Sequence, residues 1–257
     1  MAVWDPFLTE RDRQVFAGTG HGRAAGFGRR PVVMVIDVNY FFCGDVREPI
    51  LESIKRWRNG CGEEGWAAAD RIAELLAVAH RQGIPVIYST GTERRPDGWG
   101  RGRWGDKVSR KDPAAVEAAA YANTILPAVA PQPQDLVIRK AKPSVFFGTL
   151  LASYLVDLAA DTIIVTGGVT SGCVRATVVD GFAYNYRMGV VEECTFDRGQ
   201  ATHALNLFDL QQKYADVISL QAAGDYLASL PAGLFDDQMP SLRGAREAAP
   251  GGSRATG

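Results

Sequence analysis

The chain has 257 residues, of which 46% are hydrophobic and 22% charged, the balance of an ordinary globular protein and not of a disordered or fibrous one. With 28 Lys and Arg against 29 Asp and Glu, it has no cationic excess to hold a phosphate backbone or an anionic membrane, so nucleic acid is not an expected partner. No apolar run approaches the ~20 residues of a membrane span, and Asp5, Glu10 and Asp12 stand where a secretory signal would be basic and then apolar, so a cytoplasmic location is expected. Cys43, Cys61, Cys173 and Cys194 lie far apart with no C-x-x-C pair, which predicts free thiols and neither a zinc cluster nor a dithiol redox motif.

Residues 1–30 are polar and rich in glycine toward their end, and read as an arm that packs on the domain without founding it. Six apolar, β-branched runs then predict strands: Val32 to Val38, Ile84 to Tyr88, Leu136 to Ile138, Thr162 to Val165, Gly189 to Val191 and Val217 to Leu220. Between them, Ile72, Leu75, Leu76 and Ala79 keep a helical period, as do Val174, Thr177, Val178, Gly181 and Phe182, and further helices are expected over Gly148 to Leu158 and Ala201 to Lys213. Strand alternating with helix at this spacing predicts one domain over 31–230. The expected fold is a three-layer α/β/α sandwich with a mainly parallel six-stranded sheet. Two charged stretches, Gly44 to Gly65 and Gly91 to Pro113, break the alternation and carry Trp57, Trp99 and Trp104, as loops that shape a binding site often do. The stretch 231–257, rich in Ala, Gly, Pro, Ser and Arg, is expected to be a largely disordered tail.

Ligands of open parallel sheets bind beyond the carboxyl ends of the strands. Three polar residues fall there: Asp37 after the first strand, Lys140 after the run Leu136 to Arg139, and Cys173 at the start of a helix. Each alone has a plainer reading, as a loop cap, a solvated lysine and an inert buried thiol. Together they suggest a nucleophile: a helix terminus and a nearby ammonium would depress the Cys173 pKa below those of the other three thiols, and Asp37 would act as general acid and base. The loop TGGVTSGC matches neither G-x-G-x-x-G nor G-x-x-x-x-G-K-[ST], and its small residues suit a tight turn whose amides form an oxyanion hole.

The strings VVMVIDVNYFFC, VIRKAKPSVFFGT and VTGGVTSGCV, in this order, resemble the isochorismatase-like cysteine hydrolase superfamily over about residues 26 to 220. GFGRRP, the segment Lys140 to Thr149, SGCVRATVVDGF and ECTFDR look most like its N-carbamoylsarcosine and maleamate amidohydrolase branch. The resemblance implies a catalytic triad of Asp37, Lys140 and Cys173, a cis Gly168–Val169 peptide, and an oxyanion hole from the Val169 and Cys173 amides. It also implies that Arg198 binds a substrate carboxylate, with Phe146, Phe147 and Thr170 expected to line the pocket. Members lacking the cysteine are isochorismatases, so Cys173 points to an amidase. The metal site of nicotinamidases has no counterpart in STGTERRPDGWG, which holds no histidine, and His21, His80 and His203 match no ligand spacing. No metal or other cofactor is therefore expected, and His203 is read as structural or capping. The expected function is cysteine-dependent hydrolysis of a small, carboxylate-bearing ureido or amide compound with release of ammonia. The alternatives are a maleamate- or ureidoacrylate-type amidase, or a catalytically silent binding or assembly protein of the same fold. A homodimer or homotetramer is implied by resemblance, and Gly44 to Gly65, longer than its counterpart, is expected to bear on substrate choice.

Overall fold

The structure is a computed structural model, and it describes residues 2–92, 97, 102–109 and 119–238. The elements in chain order are α1 (Glu10–Thr19), β1 (Pro31–Ile36), α2 (Tyr40–Cys43), α3 (Ile50–Arg56), α4 (Glu63–Gln82), β2 (Val86–Gly91), α5 (Ala119–Ala122) and β3 (Leu136–Lys140). They continue with α6 (Leu151–Asp157), β4 (Thr162–Gly168), α7 (Arg175–Ala183), β5 (Arg187–Phe196), α8 (Gln200–Lys213), β6 (Asp216–Ile218) and α9 (Leu220–Ala228).

All six expected strands form, and they join one parallel sheet in the order β3-β2-β1-β4-β5-β6. The chain first builds leftward from β1 to β2 and β3, then returns to build rightward from β4 to β6. Right-handed crossovers in opposite directions put α4 on one face of the sheet and α6, α7 and α8 on the other, and α9 packs against α4. β1 and β4 are central and buried along their whole length, which is why VVMVI and TIIVTGG carry no polar alternation. The direction of building reverses between β1 and β4, and the crevice of a doubly wound sheet opens at that point.

Two expectations about chain organisation change. Gly44 to Gly65 contains a helix, α3, and ion pairs hold the segment: Arg56 meets Asp45 and Glu48, and Arg47 meets Glu63 and Asp70. The first residues of the expected tail are packed as well. The Phe235 side chain is fully buried, the Arg30 guanidinium lies 4.5 Å from its ring centroid, and Arg30 Nη1 donates to the Leu234 carbonyl. Packing thus reaches at least to Gln238, and the rest of the expected tail lies outside the described residues, as does most of Gly91 to Pro113. The arm is folded around a capping box of Thr9 and Asp12 at the start of α1, with Trp4 and Phe16 packed on Phe208 of α8. Its GFGRRP end is seated on a carboxylate: the Arg29 and Arg30 amides donate to Asp161, which sits where a side chain at Gly28 would have to go.

Candidate active site

At the reversal point the backbone is built for close approach. Gly167 has φ +98°, and a Cβ there would lie 2.1 Å from the Ile36 carbonyl oxygen, so β4 can pass the end of β1 only with glycine at this place. A Cβ on Gly168 would lie 2.4 Å from the Phe196 ring. The Gly168–Val169 peptide is cis. On the other side of the crevice Asp37 takes φ +53°, the left-handed region that few residues other than glycine adopt. The turn is pinned from β2, since the Asp37 amide donates to the Ser89 carbonyl at 3.0 Å and the Ser89 hydroxyl donates to Asp37 Oδ1 at 3.0 Å. Asn39, two residues on, caps α2 with its side-chain oxygen and donates its side-chain amide to Thr90.

Lys140 ends the edge strand β3 and reaches across β2 into the crevice. Its Nζ lies 2.6 Å from Asp37 Oδ2 and 3.3 Å from Cys173 Sγ. All three residues are buried. Burial opposes the lysine charge, but the Asp37 carboxylate and Cys173 beside it outweigh burial, and its pKa stands above the ordinary lysine value.

The expected depression of the Cys173 pKa is not what the site produces. Burial first, and the adjacent Asp37 carboxylate second, push the thiol up to about 12, against the lowering pull of Lys140. The other three thiols are also raised, each chiefly by burial. What sets Cys173 apart is its company and not its acidity in the resting protein.

The turn that presents Cys173 is a single wide turn, Thr170–Val174, running into α7. Asp197, buried at the end of β5, accepts the Ser171 amide at 2.7 Å and the Arg198 amide at 2.8 Å, placing a carboxylate at this N-terminus where it suits the helix dipole. Thr177 ties in the third strand's loop: its hydroxyl donates to the Cys173 carbonyl at 2.7 Å and accepts the Val145 amide at 3.1 Å.

The remaining expected residues divide. Arg198 is exposed beside Asp197, and among the described residues its side chain makes no ion pair or hydrogen bond, although its charge reaches the Cys61 thiol of the 44–65 segment. Phe146 does not line the crevice as expected. The Phe146 ring stacks on Tyr184 and Tyr186 just past the far end of α7, about 13 Å along a nine-residue helix from Cys173, and Phe147 is largely exposed to solvent. Thr170 is fully buried, and its hydroxyl is engaged by the Phe196 carbonyl at 3.1 Å and His203 Nδ1 at 2.8 Å. A carbonyl only accepts, so the hydroxyl donates to Phe196 and accepts from Nδ1–H of His203. Thr170 and His203 therefore brace the turn from behind, and burial lowers the His203 pKa, keeping the ring neutral. Ser89 and Asp197, which hold the site together, were not singled out in the sequence. The signal for Asp197 is its place in ECTFDR at a strand end, and Ser89 has none beyond a polar residue inside a buried strand. Among the described residues, no cluster of three or more His, Cys, Asp and Glu side chains is arranged to hold a metal ion. No described helix is long and apolar enough to cross a membrane.

Comparison with known proteins gives consistent matches. The isochorismatase domain model matches residues 31–222. The chain is 34% identical over 210 residues to the maleamate amidohydrolase of Pseudomonas putida, covering 81% of this chain and 92% of that one. It is 30% identical over 243 residues to the N-carbamoylsarcosine amidase of an Arthrobacter species, covering 90% and 83%. The fold is similar to that of a cysteine hydrolase from Pseudomonas syringae, with TM-score 0.67 and 22% identity over 78% of this chain and 93% of that one.

Proposed function

This chain belongs to the isochorismatase family and is a hydrolase of non-peptide C–N bonds, and from that premise we propose that it cleaves a small, carboxylate-bearing ureido or amide compound through a covalent bond to Cys173. The observation that carries this reading is the buried chain of contacts from Asp37 through the Lys140 ammonium to the Cys173 sulfur, at 2.6 and 3.3 Å.

A thiol held up to about 12 is a poor nucleophile at neutral pH, so attack requires that its proton leave as the carbon–sulfur bond forms. Asp37 is the base within reach, and Lys140 stabilises the sulfur anion that develops. The carbonyl oxygen takes up negative charge in the tetrahedral intermediate and is met by the amides of Val169 and Cys173 at the start of the helical run. Asp37 then returns the proton to the departing nitrogen, the C–N bond breaks and ammonia leaves. Water adds to the thioester or thiocarbamate, gives a proton to Asp37, and collapse of the second intermediate restores the thiol.

The carboxylate on the substrate is assigned to Arg198, whose planar fork matches it bidentately and whose side chain lies exposed next to the turn that carries Cys173. The names of the two relatives leave two versions of the scissile group, a simple amide and a ureido group, and one experiment separates them. Ammonia release is measured with a panel of ureido acids, amic acids and their neutral amides, with Cys173→Ala as control and with iodoacetamide mapping of the four thiols. Turnover of one class, lost in Cys173→Ala and blocked by alkylation at Cys173, is the expected result. Undiminished turnover by Cys173→Ala, or inactivation that tracks Cys43, Cys61 or Cys194, would remove the nucleophile assignment.

A further inference from the structure

Asp37 has two carboxylate oxygens and they are not equivalent. Oδ2 receives the Lys140 ammonium, whereas Oδ1 receives the hydroxyl of Ser89, which is 1% exposed and lies opposite Ile36 in the β1–β2 register. Ser89 therefore grips Asp37 twice, through its carbonyl at the Asp37 amide and through its hydroxyl at Oδ1. We propose that Ser89 is a positioning residue that weakens Asp37 as a base, so that in the resting enzyme the shared proton stays on Cys173 and the carboxylate keeps its place until substrate arrives. This rests on the reading of Cys173 as nucleophile and Asp37 as its proton acceptor.

The physical argument concerns which of two arrangements of one proton is favoured. The site holds either a thiol beside a carboxylate or a thiolate beside a carboxylic acid, and the two share the same net charge. A hydrogen bond from a hydroxyl favours a carboxylate over its acid, so the Ser89 contact stabilises the first arrangement. The other groups facing Asp37 are Lys140 from β3, Cys173 from the turn after β4 and the buried thiol of Cys43 in α2. Lys140 attracts the negative charge wherever it resides, whereas Ser89 touches only the carboxylate. Lys140, nearer the carboxylate than the sulfur, also leans toward the first arrangement, but Ser89 acts on the carboxylate alone. Replacing Ser89 should release the proton to Asp37 more readily and leave more thiolate, without changing how hard it is to ionise the thiol when Asp37 is already protonated.

That asymmetry makes a distinctive test with no need of a substrate. The rates of Cys173 and Cys43 alkylation by iodoacetamide, mapped by mass spectrometry, are compared at neutral pH in wild type, Ser89→Ala and Ser89→Thr, Cys43 of α2 being buried beside the same carboxylate and reporting access to the site. Ser89→Ala should be alkylated at Cys173 about tenfold faster than wild type, with the rate at Cys43 unchanged. Ser89→Thr keeps the hydroxyl and should follow wild type. A general loosening of the site would speed alkylation of Cys43 as well, and that result, or Ser89→Ala indistinguishable from wild type, would overturn the role given to Ser89. If instead Cys173 is not the thiol alkylated in the wild type, it is the nucleophile assignment that fails, and the two failures are told apart in one experiment.

Discussion

The Lys140 ammonium lies nearer to the Asp37 carboxylate, at 2.6 Å, than to the Cys173 sulfur, at 3.3 Å. Its charge is therefore answered first by aspartate, and the thiol beside them keeps its proton. This ordering explains how a buried lysine, an unfavourable object in isolation, is tolerated between three strands. It also means that neither member of the pair can be removed cleanly.

Lys140→Met should leave the Asp37 carboxylate buried without a counter-charge and cost about 3–5 kcal/mol of stability. Asp37→Asn should be less damaging than other replacements there, because Asn tolerates the left-handed backbone that φ +53° demands, but it strands the ammonium. The double variant removes both charges and should be more stable than the sum of the single losses allows, by roughly 2 kcal/mol. Urea unfolding of the four proteins measures this, and strictly additive losses would show that the pair is not coupled. None of the three variants should turn over substrate.

Much of the fold was legible because the burial of β1 and β4 on both faces forces unbroken apolar runs such as VVMVI, and the alternation with helices then dictates a parallel sheet. Asp37, Lys140 and Cys173 were legible because they stand at the carboxyl ends of those runs. The α3 helix was not, since Arg56, Asp45 and Glu48 hold it by ion pairs across the segment and not by an apolar period along it. Phe235 is one aromatic residue in an Ala- and Gly-rich stretch, and only Arg30, 205 positions away, reveals that it is a core residue. Phe146 and Thr170 were misplaced because neighbourhood in the chain to Lys140 and Cys173 does not say which way a side chain turns. The Cys173 pKa was misread because a helix start and a lysine are visible in a sequence, whereas the depth of burial that outweighs them is a property of the packed site.

Gly167→Ala should be among the most damaging single-methyl changes in the chain. The added Cβ would lie 2.1 Å from the Ile36 carbonyl oxygen, with φ +98° unfavourable to any side chain. Both objections act on the junction of the two central strands, so the expected loss exceeds about 3 kcal/mol. Thermal unfolding of this variant beside Gly224→Ala, where a Cβ would meet nothing within 4 Å, supplies an internal control. Equal melting temperatures would show that the crossing of β1 and β4 is not as close as described.

The thiols make a prediction about alkaline pH. Burial raises Cys61 and Cys173 to about 12 and holds Cys43 and Cys194 above the ordinary thiol value as well. A raised folded-state pKa means that the native protein retains protons that the unfolded chain gives up, so this contribution is complete below about pH 8.5 and declines as the pH rises toward 12. Each thiol contributes a slope of at most about 1.4 kcal/mol per pH unit. Urea unfolding at pH 8, 9 and 10 should show stability falling steeply over the last two steps, and Cys194→Ala should fall less steeply by about one thiol's share. A flat profile would contradict the burial of these groups.

The carboxylate-binding role proposed for Arg198 has a direct test. Its neighbour Asp197 accepts the Ser171 and Arg198 amides and makes no direct side-chain pair with the guanidinium, which is exposed and whose charge reaches the Cys61 thiol of the 44–65 segment. If the guanidinium forms two parallel hydrogen bonds to a carboxylate, Arg198→Lys should already lower kcat/KM by at least tenfold, because an ammonium keeps the charge but not the planar fork. Removing the carboxylate from the substrate should lower kcat/KM for the wild type by one to two orders of magnitude, the range of a hydrogen bond to a charged group left unmade. The same change of substrate should cost Arg198→Ala little, since the partner is already gone. The measurement is a cycle of two enzymes and two substrates, the acid and its neutral amide. A coupling of about 1.5–3 kcal/mol is expected. Equal losses in both enzymes would place carboxylate recognition elsewhere, and the segment Gly44 to Gly65 would be the region to test next.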